Sequence, residues 1–140
     1  MNTTKLTLED FMKKSVELYQ KRKTCLDVET NIGTVTFARP TESELLVYIT
    51  KTSDAVVTDK ADKVISQDML AILDASKELV YSTCGYLKNV DLQKSLEVVD
   101  PLDIVTKIFG INKTMEIAGE IAKEFMDAET QKKVEKTVKN

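Results

Sequence analysis

The side chains with the greatest intrinsic reactivity are two thiols, Cys25 and Cys84, in a chain of 140 residues that contains no histidine. Thiol catalysis needs a nearby base or a second sulfur, and a zinc site needs Cys or His at short spacing. Neither pattern is present, so both thiols read as inert, partly buried apolar residues. Acid–base work would then fall to carboxylates. Glu42 with Glu44 and Asp59 with Asp62 are suggestively spaced, but they lie where helix caps and loops are expected, with no nucleophile or glycine-rich phosphate loop beside them. Gly33, Gly85 and Gly110 each have a turn or helix end to explain them. Gly119 has none, and inside a helix it costs about 1 kcal/mol relative to Ala, so it is expected to mark a close helix crossing. The sequence thus predicts no catalytic residue, no cofactor and no metal, and its function is expected to lie in surfaces.

The elements that would carry those surfaces are mostly helices. The 42% hydrophobic and 31% charged composition is ordinary for a globular protein, and four Gly and two Pro favour helices over a many-turned β fold. Length alone predicts one domain with a core of its own. A formal net charge of −3, from 23 acidic and 20 basic residues spread through the chain, gives no footprint for nucleic acid or an anionic membrane. The start, MNTTKLTLEDF, lacks the basic-then-apolar order of a secretory signal, and no run is long enough to span a bilayer, so a cytoplasmic protein is expected.

In chain order, Thr7 and Asp10 form a capping signal for a helix with the apolar stripe Leu8, Phe11, Met12, Val16 and Tyr19, ending near Lys23. Residues 25–39 alternate as a β-hairpin, with Asn31 and Gly33 taking positive φ in its turn. The first helix and the next are the expected covers for its apolar face. Thr41 and Glu44 make a full capping box for the next helix, whose apolar content is Leu45, Leu46, Tyr48 and Ile49. Residues 52–62 read as a loop. From about Ser66 a long central helix runs to Cys84 and stops at Gly85, and a short helix follows at residues 91–96.

Asp100 and Pro101 open a further helix that Gly110 ends, and Asn112 is expected to cap the last one. Its stripe is Ile117, Ala118, Ile121, Ala122 and Phe125. Residues 127–140 read as a charged tail, with Val134 and Val138 at helical spacing. The predicted fold class is therefore α+β, mostly α-helical, with about four to six helices packed on one β-hairpin in a single domain over residues 1–126.

Three stretches, TLEDFMKKS at Thr7–Ser15, VTFARPTESELLVYI at Val35–Ile49 and DPLDIVTKIFGINKTMEIAGEIAKEF at Asp100–Phe125, resemble the tail assembly chaperone family of long-tailed bacteriophages and prophages. The likeness covers residues from about 7 to 126, and the basic tail departs from it. It implies a non-enzymatic factor in the bacterial host cytoplasm that binds the helix-rich tape measure protein during tail tube assembly and is then absent from the virion. It also implies, in many members, a frameshifted longer form that recruits tail tube protein. The client surface is expected at Ile104, Ile108, Phe109, Ile111, Met115, Ile117, Ile121 and Phe125, which together exceed what one core stripe per helix needs. The same surplus allows a homo-oligomer. The rival readings are a structural or adaptor protein retained in the phage tail and a generic cytosolic helical interaction module.

Overall fold

The computed structural model describes residues 5–126. The lead-in, residues 1–4, and the charged tail, residues 127–140, lie outside them. Among the described residues the chain forms six α-helices and two separate two-stranded antiparallel sheets, so it is α+β and mostly helical.

Helix α1 spans Leu8–Lys21, and its first turn is closed where the Asp10 N–H donates to the Thr7 hydroxyl oxygen at 3.2 Å. Strands β1, Cys25–Thr30, and β2, Gly33–Ala38, pair with Leu26 opposite Phe37 and Val28 opposite Val35. That register puts those four apolar residues on one face and Cys25 on the other. Cys25 is exposed and only Cys84 is buried, which corrects the expectation that both thiols would be partly buried. In the turn Gly33 takes φ 118°, while Asn31 keeps an ordinary φ and is used differently.

Helix α2, Glu42–Asp54, begins with the expected capping box. The Glu44 N–H donates to the Thr41 hydroxyl oxygen at 3.1 Å, and the Thr41 N–H donates to the Glu44 carboxylate at 2.8 Å. The stretch read as a loop from residue 52 instead finishes α2 and enters a second hairpin, β3, Val56–Thr58, paired with β4, Val64–Gln67. Its connection is organised by Asp59, whose carboxylate accepts the N–H groups of Ala61 and Lys63 at 2.8 and 2.9 Å, with Asp62 at φ 60°. Three- and four-residue strands with an irregular register are too short to show a period of two.

Helix α3, Met69–Thr83, starts three residues later than its apolar pattern suggested, because Asp68 supplies the N-cap by accepting from the Ala71 N–H. A 3₁₀ turn at Gly85–Lys88 and the short helix α4, Val90–Ser95, follow. Helix α5, Asp103–Phe109, is entered through i to i+3 bonds at residues 100–105, and α6 spans Ile111–Phe125. A single residue, Gly110 at φ 82° and ψ 170°, ends one helix and starts the other. Asn112 is therefore inside α6 and not its cap. The Gly110 carbonyl oxygen instead accepts both the Thr114 N–H and its hydroxyl, the latter at 2.6 Å.

Helix α3 packs against α6 and α2, and α6 packs on β1. The core lies where the inner hairpin face meets these helices and α5, with Phe37, Val80, Ile104, Val105, Ile117 and Ile121 fully buried. Gly119 faces open space, with nothing within 4 Å of where a Cβ would stand, so it marks no helix crossing. No helix among the described residues is long and apolar enough to cross a membrane.

Candidate functional site

The groups with chemical potential are dispersed. Cys25 on the outer hairpin face and Cys84 in the core are not bonded to each other. Glu44 is occupied by the α2 capping box, and Asp59 by its own turn. Among the described residues no group of three or more His, Cys, Asp or Glu side chains is arranged to hold a metal ion.

The eight residues expected to form a client surface divide sharply. Ile104, Ile117 and Ile121 are fully buried, and Phe109 and Phe125 are nearly so. Ile108 and Met115 are half-buried, and only Ile111 is exposed. Five of the eight are thus core residues in this structure. They are needed there because α1 contributes nothing to the core.

Helix α1 is the unexpected feature. None of its residues is buried. Leu8 is 73% exposed, Leu18 75% and Tyr19 64%, with Phe11, Met12 and Val16 all above half. At 100° per residue, Leu8, Met12, Ser15 and Tyr19 run down one line, with Phe11 and Leu18 on one side of it and Val16 on the other. A soluble monomer's largest apolar patch is typically about 300–600 Å². These six side chains expose an area on the order of the ~800 Å² that each partner gives to a standard protein interface.

The helix is nonetheless firmly attached at its end. Arg39 donates its backbone N–H to the Thr24 carbonyl oxygen at 2.8 Å and its guanidinium to the Lys23 carbonyl oxygen at 3.0 Å. The same guanidinium lies 5.2 Å from the Phe125 ring centre. Lys23 itself pairs with Glu124 at 2.8 Å, and that carboxylate is what raises the lysine's pKa. Close to this junction an open cleft of about 600 Å³ runs between the start of α2 and the end of α6, lined in part by Leu45, Leu46, Ile49 and Met126.

The sequence carried a signal for the exposed helix that the expected packing passed over. The inner hairpin face has four apolar side chains, Leu26, Val28, Val35 and Phe37, and α6 and α3 already cover it. A third amphipathic helix had no apolar surface left to meet. No protein-family model, curated protein or solved structure matches the chain.

Proposed function

We propose that this protein is a tail assembly chaperone of a long-tailed bacteriophage or prophage, a non-enzymatic cytoplasmic factor that binds the tape measure protein and keeps it soluble while the tail tube forms. The observation that carries the proposal beyond sequence resemblance is α1, an amphipathic helix whose whole apolar face is uncovered. A long helical client displays apolar stripes that aggregate when exposed, and a second amphipathic helix can cover such stripes reversibly. On this reading the client surface moves from α5 and α6 to α1. The 600 Å³ cleft, beside the last described residues and lined by charged Arg39, Glu42 and Glu124 as well as by apolar side chains, is a second contact available to the client or to a C-terminal extension that engages tail tube protein.

The test is co-expression with the tape measure protein encoded in the same phage or prophage. The client should be soluble with the wild-type chain and insoluble without it. With a Leu8→Lys, Leu18→Lys variant of unchanged helical content it should again be insoluble. A client that is equally soluble in all three cases overturns the proposal. Mass spectrometry of purified particles addresses the rival role, since a tail subunit or adaptor would be present in stoichiometric amount and a chaperone absent.

A further inference from the structure

Strand β1 has one edge paired with β2 and one that is open among the described residues. The Arg39 N–H bonds to the Thr24 carbonyl oxygen, which fixes the alternation of the ladder. Leu26 and Val28 exchange bonds with β2, and the N–H and C=O groups of Cys25, Asp27 and Glu29 point away from it. Beside that edge lies an open cleft of about 580 Å³. It is bordered by Leu26 and Val28 from the inner face of β1, by Asp27 and Glu29 from the outer face, and by the flank of α6 between Lys113 and Glu124. Side chains of both faces meet one cleft only at the edge of a strand.

The charges around this cleft are unevenly matched. Glu124 is paired with Lys23, and Lys113 with Glu116. Asp27 and Glu29 accept from the neutral hydroxyls of Thr36 and Thr34, and neither they nor Glu120 and Lys123 have an ion pair among the described residues. Three carboxylates thus stand against one ammonium.

We propose that residues 132–139, KKVEKTVK, add to the open edge of β1 as a third strand. Their charge is opposite to that of the cleft, since Lys132, Lys133, Lys136 and Lys139 outnumber Glu135. In an extended chain Lys132, Val134, Lys136 and Val138 share one face, and Lys133, Glu135, Thr137 and Lys139 share the other. The first set continues the inner face, its valines beside Leu26 and Val28 and its lysines toward Glu120. The second continues the outer face, its lysines beside the carboxylates of Asp27 and Glu29. Coiled as a helix, the same residues would put the valines on one side and the lysines on the other, so the match belongs to a strand.

The segment is also placed to reach this edge. Lys23 meets Glu124 at 2.8 Å, so α6 ends beside the start of β1. The link of residues 127–131 can span about 17 Å, and Cys25 to Glu29 covers about 13 Å. β1 of a second copy in the same place would set Asp27 and Glu29 against like charges. A third strand also relieves a two-stranded sheet that is marginal by itself. The pairing does not rest on the tape measure reading, and its test contains no client.

The test is amide hydrogen exchange of the full chain, followed residue by residue by NMR. The N–H groups of Asp27 and Glu29 should exchange at least about tenfold more slowly in the wild type than in a Lys132→Glu, Lys133→Glu, Lys136→Glu, Lys139→Glu variant of unchanged helical content. Equal rates in the two chains overturn the proposal. A nitroxide on Cys25, whose thiol is exposed while that of Cys84 is buried, should broaden the amide signals of residues 132–139 in the same chain. Signals left sharp overturn the proposal. So does broadening that passes to isotope-labelled chains without nitroxide when nitroxide-bearing chains are mixed in, because the added strand would then come from a second copy.

Discussion

The side-chain amide of Asn31, in the turn of the first hairpin, donates to the carbonyl oxygen of Ile108 in the last turn of α5 at 2.9 Å, across 77 residues of sequence. The final carbonyls of a helix have no partner within it, and α5 ends abruptly at Gly110. The hairpin turn therefore acts as a C-terminal cap for a helix far along the chain. Asn31→Ala and Asn31→Asp, neither able to donate this bond, should each lower stability by about 1 kcal/mol, measured by urea denaturation. Equal stability of Asn31→Ala and wild type would show that water serves Ile108 as well.

The two unusual glycines should respond in opposite directions. Gly119 sits mid-helix in open space, so Gly119→Ala should stabilise the protein by about 1 kcal/mol. Gly110 occupies a backbone region essentially closed to other residues, and Gly110→Ala should cost about 1–3 kcal/mol, although nothing obstructs its Cβ. Thermal melts of the two variants, run side by side, check both signs.

Apolar truncation should separate core from surface. Ile121→Ala removes a fully buried side chain and should cost about 2–5 kcal/mol. Phe11→Ser removes a side chain that is 58% exposed and touches no core, and at concentrations too low for association it should change stability by no more than about 0.5 kcal/mol. Denaturant titrations of dilute protein give both values. Comparable losses in the two variants would mean that α1 docks on its own domain.

Stability should also decline at both ends of the pH range for identifiable reasons. Burial acts to raise the pKa of Glu44, but the Thr41 N–H, the Ser82 and Thr41 hydroxyls and the Lys88 charge outweigh it, so the folded value is lowered from 4.5. The carboxylate's contribution is present above that value and is lost as pH falls through the lowered one. Burial raises the Tyr48 pKa above 10.0, only partly offset by the Ser76 hydroxyl. Its contribution is full below pH 10 and is lost as pH rises through the raised value. Tyr48→Phe should flatten the alkaline limb and leave the acid limb unchanged in denaturation midpoints recorded against pH.

The secondary structure was largely legible because its signals are local. Thr7, Thr41 and Gly110 mark helix ends through their own backbone and side-chain bonds, and the period-two alternation of residues 25–38 needs no partner to be recognised. The second hairpin was not legible, since Val56 and Val57 offer no alternation and the ordering carboxylate of Asp59 resembles any polar loop residue. The placement of the apolar stripes was the harder question. Periodicity identifies that Phe11 and Phe125 each lie on an apolar helix face, but not which face the hairpin will bury. Phe125 is 7% exposed and Phe11 is 58% exposed, a difference decided by competition among helices for a small sheet.

The Lys23–Glu124 pair has one more effect, on how the molecule presents whatever is joined to it. It brings the point where α1 leaves the domain within one ion pair of the point where α6 ends. Any segment joined after Met126 is thereby tethered beside the base of α1, where a short flexible link gives an effective concentration in the millimolar range. Two weak contacts made by one extended partner, one on α1 and one on such a segment, would then reinforce each other without either being strong.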